Sequence, residues 1–109
     1  MDDKTVIKFI GGITVSFILV KILKNILKEP RPILGKTYGM PSSRSTVMAF
    51  ILFFLLMNYE FKTSTKIILV ILTLLTLSIK YYLKQHSIKQ LLVGFILGII
   101  IAYIINQCF

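Results

Sequence analysis

YGMPSSRSTVMAFILFFLLM, residues 38–57, sets a proline, two serines and an arginine directly ahead of an almost unbroken apolar run. The run itself, about Thr46–Tyr59, falls short of the roughly 20 residues that cross a bilayer. It reaches that length if its helix begins near Ser42 or Ser43 and runs to about Phe61. The local chemistry permits this, because Pro41 suits a helix start and either serine can cap the first turn.

Three further apolar stretches flank this one, at about Val6–Leu27, Ile67–Leu83 and Ile88–Ile105. Hydrophobic residues make up 56% of only 109 residues, and the mean hydropathy is +0.85. Too little polar surface remains to coat a soluble globule. The expected fold is therefore all-α, an integral-membrane helical bundle of about four transmembrane helices. The first segment reads as a retained helix, because it opens with Asp2 and Asp3, runs long, and ends in no small-x-small cleavage site. No repeat or low-complexity linker interrupts the chain. The longest connection, Lys28–Ser45, is too short to be a domain, so residues 1–109 are expected to form one domain.

A single cysteine, Cys108, supports neither a disulfide framework nor a thiolate metal site within one copy. The acids are Asp2, Asp3, Glu29 and Glu60, too few and too scattered for a carboxylate-held magnesium or a two-metal phosphatase. No cofactor is expected. The cations are more informative than the net charge of +9, because an even number of spans puts the first and third loops on one face. That face and its bordering helix ends hold Lys21, Lys24, Lys28, Arg31, Lys36, Arg44, Lys80, Lys84 and Lys89. Only Lys4, Lys8, Lys62 and Lys66 lie on the other. The positive-inside rule with snorkelling explains this placement and would make the crowded face cytoplasmic. An anion site at the membrane surface is the second explanation. Lys21, Lys24 and Lys28 share one helical face pointing toward the Glu29–Pro32 stretch. A bilayer partner, and no nucleic acid, is expected.

Three stretches sharpen this. KNILKEPRP, residues 24–32, gives Lys24, six residues, then Arg31-Pro32; GMPSSRS spans residues 39–45; KYYLKQHSIKQ, residues 80–90, gives Lys80, five residues, His86, three residues, Gln90. The series resembles the three-part signature of the type 2 phosphatidate phosphatase and haloperoxidase superfamily: K-x6-RP, then PSGH, then SR-x5-H-x3-D. With KTYGMPSS and a final glutamine, it is most similar to the dolichyldiphosphatase subfamily, which reads GMPSSHS and SR-x5-H-x3-Q. The resemblance covers roughly residues 10–105. Arg44 stands where the family has histidine, and Ile79-Lys80 where it has Ser-Arg.

The resemblance implies a metal-independent hydrolase that cleaves a polyprenyl or dolichyl diphosphate to the monophosphate. His86 would attack the terminal phosphorus to give a phosphohistidine that water hydrolyses. It also implies a site facing the lumen of the endoplasmic reticulum, in lipid-carrier recycling for protein N-glycosylation. The residues agree with it. The free N–H groups of a helix starting at Ser42 or Ser43 form a phosphate cradle, and Lys24, Arg31, Arg44 and Lys80 supply positive charge around the same anion. His86 is the only histidine and the only plausible nitrogen nucleophile. Gln90, one helical turn beyond it, can accept the imidazole Nδ1–H and leave Nε2 to attack. Simple N-capping is the expected role for one of the two serines. Lys84 and Lys89 read as headgroup lysines, and Tyr38, Tyr59, Tyr81, Tyr82 and Tyr103 as an interfacial belt. Gly94 and Gly98 are expected to permit close helix packing. Two other readings remain: an inactive relative that binds lipid phosphate, favoured by Arg44 and Lys80, or a non-enzymatic basic membrane protein, which explains the composition and leaves the three motifs as accident.

Overall fold

The structure, a computed structural model, describes residues 3–28, 42–82 and 87–108. They form four helices and no strand: α1 (Asp3–Leu27), α2 (Ser43–Asn58), α3 (Thr63–Tyr82) and α4 (Ile88–Cys108). The all-α membrane bundle expected from the apolar runs is what the chain adopts. Helices α1 and α4 are long and apolar enough to cross a bilayer, while α2 and the apolar part of α3 are shorter.

Helix α2 stops at Asn58 rather than near Phe61. The Asn58 side-chain amide donates to the Phe54 carbonyl at 2.8 Å, and Tyr59 turns extended while its N–H still bonds the Leu55 carbonyl. The Tyr59 bond is the last of the helical ladder, and the carbonyls beyond Leu55 lie at the open end of the helix. At 1.5 Å per residue, α2 spans only about 24 Å of a hydrocarbon layer about 30 Å thick. Its polar ends must therefore find partners inside the protein.

The core lies between α1, α2 and α4. Phe50 and Phe54, both fully buried, stack with centroids 5.4 Å apart. Phe9 tilts against them at 6.2 and 5.7 Å, and Ile101 and Ala102 of α4 close the cluster. The Phe50 ring lies directly over Gly12, where any side chain would collide with it.

Helices α2 and α4 run parallel and touch along glycines. A Cβ at Gly94 would lie 2.6 Å from the Ser42 carbonyl oxygen, and one at Gly98 would lie 2.7 Å from the Ala49 Cβ. Both positions need hydrogen as the side chain, as the four-residue spacing of the glycines predicts. Helix α1 runs antiparallel to both, since Phe9 meets Phe54 and the Lys8 ammonium donates to the Asn106 carbonyl at 3.3 Å. That cation complements the negative end of α4. Helix α3 is antiparallel to α4, with Tyr81 beside Ile88 and Leu74 beside Phe95. The C-terminal ends of α1 and α3 thus share one end of the bundle with the N-terminal ends of α2 and α4.

Candidate functional site

That shared end holds the described parts of the sequence motifs. Helix α1 closes at Lys28, whose N–H bonds the Lys24 carbonyl at 3.0 Å while its φ of 50° makes the left-handed turn that ends a helix. Lys24, half-buried in the last turn of α1, complements the negative helix end. Arg31 and His86 lie outside the described residues, as does the Lys80 side chain. The backbone of Lys80 sits in the last turn of α3, at the same end.

The start of α2 is built by its serines. Ser42 is the N-cap, with φ −71° and ψ 119°; its hydroxyl accepts the Ser45 N–H at 3.2 Å, and it is fully buried. Capping, expected for one of the pair, therefore belongs to Ser42. The Ser42 N–H donates across to the Gln90 carbonyl at 3.3 Å. The Thr46 N–H and hydroxyl both donate to the Ser42 carbonyl, at 3.0 and 2.9 Å. Among the described residues, the amides of Ser43 and Arg44 are left without an acceptor. Ser43 is half-buried and Arg44 exposed, so both open donors face the rim.

The start of α4 is a reciprocal cap. The Gln90 N–H donates to the Ser87 hydroxyl at 3.2 Å, and the Ser87 N–H donates to Gln90 Oε1 at 3.0 Å. Ser at N-cap and Gln three residues on is the capping-box pattern, legible in Ser87-Ile88-Lys89-Gln90. Gln90 is buried. Its side chain grips the amide of the residue that directly follows His86.

Two residues outside the motif assignments join these helix starts. The Ser45 hydroxyl, fully buried, donates to the Leu91 carbonyl at 2.6 Å. Thr46 packs against Gly94 beside it. Residues 42–46 are thereby fixed against residues 87–94 by two direct hydrogen bonds and a close glycine contact.

The electrostatics of this end are one-sided. Two helix N-termini point the same way, each carrying partial positive charge. Neither has an acid in its first turn, and those turns carry Arg44 and Lys89 instead. A cation at a helix N-terminus is unfavourable by about 0.3–1 kcal/mol unless an anion sits there. The two open amides supply the hydrogen bonds such an anion takes. Among the described residues, Asp3 and Glu60, the only acids, lie at the opposite end.

Comparison with known proteins gives one finding at family level. The sequence model of the PAP2 superfamily matches residues 5–109, a span that includes both helix starts. No curated protein and no solved structure matches the chain.

Proposed function

The chain belongs to the PAP2 superfamily, which includes phosphatases that hydrolyse lipid phosphates in membranes, and from that premise we propose that it is a diphosphatase acting on a polyprenyl or dolichyl diphosphate. The observation that carries this reading is the paired helix starts. The Ser42–Gln90 bond joins an open anion cradle on α2 to the α4 turn that follows His86.

In the proposed reaction His86 Nε2 attacks the terminal phosphorus and the bond to the bridging oxygen breaks. The lipid monophosphate departs with that oxygen. Water then attacks the phosphohistidine, releasing inorganic phosphate and restoring the imidazole. The amides of Ser43 and Arg44, the Ser43 hydroxyl, Lys24, Arg31 and Lys80 hold the non-bridging oxygens. Ser42 shapes the cradle through its cap, and Gln90 fixes the chain after His86 through Ser87.

Arg44 decides between substrates. A guanidinium does not release a proton at ordinary pH, so it cannot protonate the alkoxide that a simple phosphate ester expels. A diphosphate instead expels a phosphate monoester, whose second pKa is about 6. That group leaves as an anion, and Arg44 stabilises its charge directly. On this reading the site faces the lumen of the endoplasmic reticulum, where the monophosphate re-enters carrier recycling for N-glycosylation.

A second reading, a relative that binds lipid phosphate without turnover, is favoured by the same Arg44 and by Lys80, because lysine lacks the bidentate fork of arginine. Phosphate release from dolichyl diphosphate and from phosphatidate by the purified chain separates these readings. Faster release from the diphosphate is expected. Equal or faster release from phosphatidate refutes the substrate assignment, and diphosphate binding without release selects the silent relative.

A further inference from the structure

Beside the cradle, α3 and α4 part to leave a cavity of about 400 Å³. Leu74, Leu77 and Tyr81 form one wall; Ile88, Leu91 and Phe95 form the other. Two lining residues carry hydroxyls: Ser78, which already donates to the Leu74 carbonyl at 2.8 Å, and Tyr81. Phe95 packs edge-on against Phe53 with centroids 5.9 Å apart and closes the floor. Water gains no partner in such a space, and an empty one forfeits the dispersion contacts of its walls. In a bilayer, hydrocarbon fills it.

Position identifies which hydrocarbon. Leu91, which lines the cavity, is the residue whose carbonyl holds Ser45, so the cavity wall and the α2 start are in direct contact. Tyr81 and Ile88 mark its mouth, at the end where Arg44 and the open amides lie. A cavity between α1 and α4, about 250 Å³, is lined by Ile7, Lys8 and Ile105 and so sits toward the opposite end. One between α2 and α3 measures only about 120 Å³. Of these three, the α3–α4 cavity is the largest and the one whose wall is bonded to the α2 start, through the Leu91 carbonyl.

We propose that this cavity binds the hydrocarbon chain of the lipid phosphate whose head occupies the α2 cradle. The proposal rests on the lipid-diphosphate reading above and adds to it a chain-binding subsite. From Ile88 to Phe95 the wall runs only ~10 Å along α4. The protein therefore senses the part of the chain nearest the phosphate and is indifferent to length beyond it.

The test uses the full chain in nanodiscs with a polyprenyl diphosphate carrying a photoreactive diazirine on its first isoprene unit, followed by mass-spectrometric mapping. Labelling is expected within residues 74–95, competed away by unlabelled polyprenyl diphosphate. Leu74→Trp, which plugs the cavity, should lower it by about tenfold, while Val15→Trp in the α1–α4 cavity leaves it unchanged. Labelling concentrated on α1, or equal labelling by the corresponding prenyl alcohol, overturns the proposal. Labelling in place without phosphate release upholds this subsite and refutes the hydrolase reading. Release with labelling elsewhere does the reverse.

Discussion

The Ser45 hydroxyl donates to the Leu91 carbonyl at 2.6 Å across the α2–α4 interface, with Ser45 fully buried. This bond sets how far the open amides of α2 stand from the turn that follows His86. A buried hydrogen bond of this kind contributes about 1 kcal/mol, and interhelical bonds in membranes average about 0.6 kcal/mol. Ser45→Ala should therefore lower unfolding stability in mixed micelles only modestly. Because it loosens the register of two motifs, it should lower kcat more than it raises KM. A drop in stability with unchanged kcat would leave Ser45 a purely structural role.

The glycines make a sharper contrast. Gly94→Ala and Gly98→Ala push a methyl group into backbone atoms of α2 and its cap, and overpacking of that kind costs about 1–3 kcal/mol. A methyl group at Gly11 would meet nothing within 4 Å, so Gly11→Ala should be neutral or stabilise by up to about 1 kcal/mol through helix propensity. Thermal unfolding of the three variants checks the order.

Ser43→Asp separates stability from function. A carboxylate in the first turn of α2 favours the helix by about 0.3–1 kcal/mol, yet it puts negative charge where the phosphate is held. The variant should unfold no more easily than the parent and lose lipid diphosphate binding, measured by titration in detergent. Retained binding would remove the α2 start from the phosphate site.

Gln90→Glu keeps the acceptor that the Ser87 amide needs, whereas Gln90→Leu leaves that N–H unsatisfied, a loss of about 1–3 kcal/mol. Glutamate should therefore preserve stability and leucine should not. If both variants unfold alike, the reciprocal cap does not hold the start of α4.

The four helices were legible because apolar runs near bilayer length leave the chain few alternatives. Gly94 and Gly98 were legible as packing sites from their spacing alone. The end of α2 was not: aromatic residues continue through Tyr59 and Phe61, and nothing in that composition announces the extended backbone at Tyr59. Ser45 was also missed, since its partner lies 46 residues away and no local pattern announces an interhelical bond. The Ser87–Gln90 box was present as a spacing, which a reading directed at His86 passed over; the cap and an imidazole contact do not exclude one another. The assigned roles of Arg31 and His86 fall outside the described residues, so they remain proposals carried by the motif spacing.

The central claim is that one imidazole takes phosphate from a lipid diphosphate held at the paired helix starts. Its most direct measurement is acid-labile label trapped on the protein from dolichyl diphosphate carrying a radioactive terminal phosphate. The account predicts label on the parent chain, none on His86→Ala, and loss of phosphate release in that variant. Undiminished release from His86→Ala would contradict it.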